Sequence, residues 1–405
     1  MPNTLITPTQ VTREALRVLH QKLNFIGSIT RDYDSQYAKK EAKIGDTLKI
    51  RLPNQYVVRS GATLNITPPL GDTVEQTVDL RVNQQRGVDL AFTSVDLTLS
   101  LDDFSERIIE PAMNVLAANI EADAMSMYRS VSQSIWNGGS PSSFPQVLAG
   151  RKVLVDALAP LGNRTANLNT TDNVDLVDAL KGLFNDTTNL SKQYREGYMG
   201  RTAGFDFMEN TLWPSHTNGA RVANTYRTNT QVGTLALDGT AYSTITLATG
   251  TGAANVGDVF TIENCFRVHP ETRVSTGVLQ QFVVTAAFAG GAGPISISPA
   301  IVLGGARQNC VIPTTSATAV VTFLGTASAT AGTSLLYHKD AFAFATADMV
   351  MPDGVDWKSR QVLDGISMRI IRQYDINNDR FPCRLDVLYG YAPIRPSLAV
   401  RLHNR

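Results

Sequence analysis

Apolar residues between Ser100 and Asn137 recur in steps of three and four: Leu101, Phe104, Ile108, Ala112, Val115, Leu116, Ile120, Ala124, Met127, Val131 and Ile135. That spacing sets a single stripe along a helix. Ser100 is placed to cap the start, and Asp102, Asp103 and Glu106 put negative charge where the helix dipole favours it. Asn137-Gly138-Gly139 before Pro141 reads as the stop. Pro111 interrupts the pattern, predicting a kink or the end of a first short segment. At about 1.5 Å per residue the stretch is on the order of 50 Å long. Alanines and methionines fill many seam positions without flanking Glu/Lys pairs, which argues against a coiled coil. No second helix of matching length exists for a bundle. The remaining reading is a spine crossing a flat protein.

Ahead of this spine, Thr7-Pro8-Thr9-Gln10 is a helix-start signal. The helix it opens, TREALRVLHQKLNF, would bury Val11, Ala15, Val18 or Leu19, and Leu23. It is too short to stand alone and must dock, either on its own domain or on a neighbouring subunit. From Gly45 to Leu99 the period changes to two, predicting strands at Leu48–Leu52, Val78–Val82 and Val95–Leu99. The first two enclose a segment punctuated by Gly61, Pro68, Pro69 and Gly71, hence a long hairpin with a polar tip. Such a hairpin is marginal in water and needs a partner surface.

Further on, Asp175–Asn185 reads as a helix with Val174, Val177, Leu180 and Phe184 on one face. Near residue 217 the composition shifts to Thr, Ala, Gly and Val, and no lysine occurs between Lys192 and Lys339. Short strands at Thr244–Ala248, Val259–Ile262, Gln281–Thr285, Ile295–Ser298 and Ala319–Leu324, separated by glycine turns, predict a small all-β barrel or sandwich inserted in the parent domain. Mixed α/β character returns over Leu335–Phe344 and Ser367–Tyr374. The chain closes as a strand at Cys383–Leu388, a bend containing Gly390, and a strand at Leu398–Leu402.

Charge narrows the function classes. Lys plus Arg equals Asp plus Glu at 36 each, so the net charge is zero, whereas a phosphate-tracking groove needs a basic excess. A charged fraction of 18% fits a surface largely covered by neighbours. Cys265, Cys310 and Cys383 lie far apart without metal spacing and read as buried thiols, with a Cys265–Cys310 bridge left open. No signal peptide and no apolar run near 18 residues is present, so cytosolic synthesis without a membrane span is expected. His20, His216, His269, His338 and His403 are scattered, and neither HExxH nor GxSxG occurs. Gly197, Gly200 and Gly204 match neither phosphate-loop pattern. No catalytic, cofactor-binding or metal-ligating residue is assigned, and the expectation is a protein that is not an enzyme.

The order of parts carries a resemblance. RGVDLAFTSVDLTLSLDDFSERIIEPAMNVLAANIEADAMSMYRSV forms a strand-to-spine junction, GRTAGFDFMENTLWPSH a glycine-apolar-proline run, and SLLYHKDAFAFATADMVMP with CRLDVLYGYAPIRPSLAVRL the closing segments. Together they resemble the major capsid proteins of tailed bacteriophages, the HK97-type fold. The β insertion after SHTNGA brings the chain nearest to the coat proteins of short-tailed Salmonella phages, whose inserted domain is telokin-like.

The resemblance implies an α+β architecture. Its parts are an N-terminal arm over 1–35, an extended hairpin (E-loop) with peripheral strands over 36–99 and a spine helix over 100–140. An axial domain follows over 141–216, then an inserted β domain over 217–335 and closing axial and peripheral segments over 336–405. It further implies a structural protein without cofactors that assembles as pentamers and hexamers into an icosahedral shell around double-stranded DNA, without sequence-specific binding. Assembly would proceed through a scaffold-assisted procapsid that expands on packaging, with a portal protein at one vertex and synthesis in the bacterial host cytoplasm. Arg59, Asp72 and Glu75 near the hairpin tip, and Arg13 and Arg17 on the arm helix, are the candidate subunit-interface residues. The alternatives are an encapsulin-like compartment, which would lack the insertion, and a β-rich binding or adhesin protein, which would need export.

Overall fold

The structure, a computed structural model, describes residues 12–17, 19, 23–31, 47–58, 61–62, 75–92, 109–137, 139–180, 200–229, 235–313, 318–355, 357–363, 366–376 and 381–404. Helices and strands are mixed, and the chain divides into two compact units. The first comprises Met1–Ile50, Val78–Met125 and Phe342–Ile394; the second comprises Arg51–Thr77, Ser126–Ala341 and Arg395–Arg405.

In the first unit the long strand Phe381–Pro393 is the hub of a five-stranded sheet. Gln84–Phe92 pairs along one side of it, from Phe381↔Phe92 to Tyr389↔Gln84. Ile366–Arg372 and Phe342–Ala347 pair with it elsewhere along its length, and Trp357–Leu363 forms the edge beyond Ile366–Arg372. The bend expected at Gly390 is absent. Gly390 pairs with Ala345 inside the ladder, and a Cβ there would lie 2.1 Å from the Arg81 carbonyl oxygen. The glycine serves a close backbone approach rather than a turn.

The spine helix runs Glu110–Met125 and tightens into a 3-10 turn at Ser126–Ser130. It buries Ala112, Met113, Leu116, Ala117, Ile120, Ala124 and Met125, whereas Val115, expected on the apolar stripe, is 59% exposed. Pro111 lies within the helical stretch directly after Ile109, which is in a π-type turn. The expected stop at Asn137 is overturned, because Ser134–Trp136 is already a strand. Hydroxyls explain the early end: the Ser130 side chain donates to the Met127 carbonyl at 2.6 Å, and such local bonds compete with the helical ladder. The readings at Ser100–Ile108 and Val95–Leu99 lie outside the described residues.

Residues 12–17 are helical, with Ala15, Leu16 and Leu19 buried, and a short helix follows at Asn24–Ser28. Glu121 of the spine, itself buried, accepts the Asn24 and Phe25 amides at 3.1 and 2.8 Å, capping that short helix. Thr30 then lies parallel to Ala343, its amide donating to Phe342 O at 3.2 Å and its carbonyl accepting from Phe344 N at 3.0 Å. Between the two docking readings for this segment, the structure shows it packed on its own unit. Strands Thr47–Arg51 and Thr77–Arg81 form a two-stranded sheet of their own, with Ile50 and Leu80 buried.

The second unit contains two seven-stranded sheets. One runs Ser134–Trp136, Ala399–Asn404, Thr330–His338, Arg164–Leu168, Phe205–Glu209 and Arg201–Thr202, with His216–Thr217 paired to Thr330–His338. Its middle strands are buried along most of their length, polar residues such as Arg164, Thr165, Asn167, Thr333 and Ser334 included. Helix Phe144–Asp156 packs on this sheet, and Gln146 bonds Asn404 at 2.9 Å. Helix Thr170–Leu180 begins ahead of the expected Asp175 because the Asn169 side chain accepts the Asp172 amide at 2.7 Å as an N-cap. Leu176 is buried, Val177 half-buried and Val174 exposed, while the expected positions Leu180 (side chain) and Phe184, with the end of the helix read to Asn185, lie outside the described residues.

The other sheet runs Cys310–Val311, Val259–Val268, Ser275–Val284, Gly293–Ile301, Tyr242–Thr249 and Arg227–Thr228, with Val321–Phe323 also on Val259–Val268. Around it Tyr226, Ile245, Leu247, Phe260, Ile262, Phe282, Val284, Ile295 and Ile297 form a core of their own. At roughly 1.5–3 kcal/mol per fully buried large apolar side chain, this cluster is a substantial stabilising term for one β module.

Candidate functional site

Among the described residues no group of His, Cys, Asp or Glu is arranged to hold a metal ion, and no helix is long and apolar enough to cross a membrane. The densest polar chemistry lies in the second unit, where the β module meets the sheet that carries it. Asp258, buried, sits in the turn ahead of strand Val259–Val268 and accepts four hydrogen bonds. They come from Arg221 Nη1 at 2.7 Å, His216 Nε2 at 3.1 Å, and the Gly219 and Asn255 amides at 3.1 and 3.0 Å. Gly257, at φ 97°, shapes this turn, and its carbonyl accepts from Arg401 Nη1 at 2.9 Å.

Arg221 spans inward from there, bonding Leu324 O at 2.5 Å and lying 4.9 Å over the Phe323 ring. His216 and His403 face each other with ring centroids 5.6 Å apart, and Trp136 covers His403 at 5.5 Å. Tyr128 reaches His216 Nδ1 at 3.4 Å. Beside them Gln281 of the β module clamps Ser134 at both ends, accepting its amide at 2.8 Å and donating to its carbonyl at 3.0 Å. At the margin Arg267 approaches Asp156 at 3.4 Å.

Burial works against ionisation of Asp258, yet the His216 hydrogen bond, the Arg221 charge and two amides outweigh it and hold the carboxyl below its ordinary value. Burial pulls the Arg221 guanidinium down against the attraction of Asp258. Burial also brings Arg401 down to about 10, and its Nε and Nη2 have no hydrogen-bond partner among the described residues. His403 is held well below its ordinary value by burial first, then by Arg401 and His216. Tyr128, His216, Arg221, Asp258, Arg401 and His403 are all buried, and the chemistry of the arrangement is that of a joint. A buried ion pair of this kind costs about 3–5 kcal/mol when one partner is removed.

A family profile described as P22 coat protein, gene protein 5, matches residues 15–403. The chain belongs to the P22 coat protein family. Members of this family are structural rather than enzymatic, and the chain is a major capsid protein that forms a phage shell as a homo-oligomer in the virion. No curated protein matches it. Similar solved structures include a chain of Mycobacterium phage Che8, 12% identical, with 94% of this chain and 90% of that chain covered and a TM-score of 0.47. The capsid of Ralstonia phage GP4 is 6% identical over 93% and 87%, with a TM-score of 0.46. A virus-like particle from Pyrococcus furiosus is 8% identical over 97% of each chain, with a TM-score of 0.39.

For a P22-family coat protein the surfaces that meet other copies matter most. Of the interface residues read from sequence, Arg59 and Asp72 lie outside the described residues. Glu75 approaches Arg51 at 3.6 Å across the base of its own hairpin, with both side chains exposed. Arg13 is exposed on the N-terminal helix, and Arg17 bonds Glu14 at 2.5 Å one turn away. The structure thus brings Glu75 to a local partner and leaves the two arm arginines on a helix surface. Sequence reading missed Tyr56, Val57 and Val58 on the hairpin, of which Tyr56 is 66% and Val58 92% exposed. The signal was three consecutive large side chains in a stretch otherwise read as polar. The joint residues were missed as well, because residues 128, 216, 221, 258, 401 and 403 meet only in the fold. Arg401 within an apolar terminal strand was the available hint.

Proposed function

We propose that the subunit is an HK97-type tile. The spine and the Phe381–Pro393 sheet form its rigid plate, the hairpin over 36–99 reaches an adjacent copy, and the β module over 217–335 is an insertion in the axial part. Family membership across residues 15–403 carries this reading. The exposed Tyr56, Val57 and Val58 support the hairpin's part in it, since an apolar run on a projecting ribbon gains free energy when a second copy covers it. Arg13, Arg17, Arg59, Asp72 and Glu75 serve as charged contacts at the rim of such interfaces, setting register more than affinity.

The finer assembly route belongs to the same proposal: synthesis in the host cytoplasm, a procapsid built on scaffolding protein, a portal at one vertex, and expansion as double-stranded DNA enters. The zero net charge suits a container that holds DNA without gripping it. Negative-stain microscopy with sedimentation, on the purified chain alone and mixed with its scaffolding protein, tests the route. Closed shells only in the mixture are the expected result. Persistent monomers in both would overturn it.

A further inference from the structure

We propose that the joint under the β module is an acid-opened latch, in which a proton on His403 is accommodated only when the module parts from the sheet that carries it. The Trp136 ring, from strand Ser134–Trp136, lies 5.5 Å from the His403 ring centroid, and His216 from strand His216–Thr217 lies 5.6 Å from it. Arg401 lies on the same strand as His403, and Thr333 from the central strand is 3.5 Å from Nδ1. Its neighbours are therefore a cation, a second imidazole, a hydroxyl, an indole and the Gly332 backbone, to which it hydrogen-bonds, and the two basic ones are the groups bonded to the module, Arg401 at the Gly257 carbonyl and His216 at Asp258.

The carboxylate within this joint is Asp258, and both its oxygens are taken, Oδ1 by His216 and Oδ2 by Arg221, Gly219 and Asn255. A protonated His403 would sit buried beside Arg401 with a hydrogen bond at the Gly332 backbone but, among the described residues, no carboxylate turned toward it, a costly arrangement. Tyr128 faces His216 and Arg401, and Arg129 lies 5.8 Å over the Tyr128 ring as a further cation at the margin of the joint.

The sign follows from linkage. His403 is held below its ordinary value in the closed joint, so the open form binds more protons, and closure weakens as pH falls below about 6.5. Asp258, also held low, adds a second loss in the same direction at still lower pH. One proton gained on opening raises the open population about tenfold between pH 7.5 and 5.5.

The Ser134 amide reports the state directly, because its acceptor is the side chain of Gln281 across the joint. Amide hydrogen exchange on the unassembled full chain, corrected for the intrinsic pH dependence, should show the 131–137 segment opening about tenfold more at pH 5.5 than at 7.5. Phe282–Val284 in the module core and Ile366–Arg372 in the first unit should not change. His403→Phe, which keeps an aromatic surface against Trp136, and His403→Gln, which keeps a polar one, should each abolish the acid response. An acid response that survives in both variants, or one shared equally by the module core, would overturn the latch.

Discussion

At Gly390 a hydrogen is tolerated and a methyl group is not. An added Cβ would overlap the Arg81 carbonyl at 2.1 Å, and the contacting atom is backbone, so nothing flexible can yield. Gly390→Ala should lower stability by about 2–4 kcal/mol, read as an earlier thermal or urea transition of the first unit. The thiols are a second residue-scale case. All three cysteines are free and buried, and Cys265 and Cys310 meet as a hydrogen-bonded pair of thiols rather than a bridge. Burial pushes the Cys383 thiol up to about 12, so it stays protonated in the fold when an unfolded chain would ionise near 9. Stability from this group is therefore present below about pH 9 and lost between there and about 12. A thiol reagent at pH 8 should find no reactive cysteine in the native chain and three after denaturation.

Among elements, the contact between Glu121 and the Asn24–Ser28 helix decides whether the N-terminal segment stays docked. A five-residue helix has no cooperative stability of its own, so two amides accepted by one buried carboxylate matter out of proportion to its length. Glu121→Ala should cost about 1–3 kcal/mol and expose residues 12–29 to limited proteolysis before the sheet opens. This scale also shows what was readable in advance. The five strands expected between residues 244 and 324 all appear, because alternation and glycine turns are local signals that survive folding. The spine's core positions Ala112, Leu116, Ile120 and Ala124 were legible for the same reason. Its end was not, since serine hydroxyls compete with the helix only weakly in sequence patterns, and Ser134–Trp136 is drawn into a strand by its parallel neighbour Ala399–Asn404. The straight run through Gly390 was equally hidden: a glycine in a strand reads alike whether it bends the chain or admits another backbone. Of the candidate site, the strand pair Thr47–Arg51 and Thr77–Arg81 was legible from its alternation, but the polar joint was not, because its members come from separate stretches of the chain.

For the molecule as a subunit, the hairpin gives the most direct prediction. Replacing Tyr56, Val57 and Val58 together by serine removes apolar surface that the isolated chain already exposes, so monomer stability should change by less than about 0.5 kcal/mol. Shell formation should fall sharply, because a small loss per contact is multiplied over every copy in a closed assembly. Sedimentation of wild-type and triple-variant chains under identical scaffolding conditions separates the two effects.

The way the chain enters and leaves the β module has a practical corollary. His216 and Thr217 pair with Ala331 and Thr330, the two threonine hydroxyls meet at 2.9 Å, and Asn218 N still bonds Ala329 O at 3.0 Å. The two legs are zipped side by side before the module begins, so its attachment points are the width of one strand pair apart. A short turn spliced between them would join the two legs directly, at the loss of the partners that Ser134, His216 and Arg401 find in the module, and a foreign domain whose termini lie equally close would meet the same doorway.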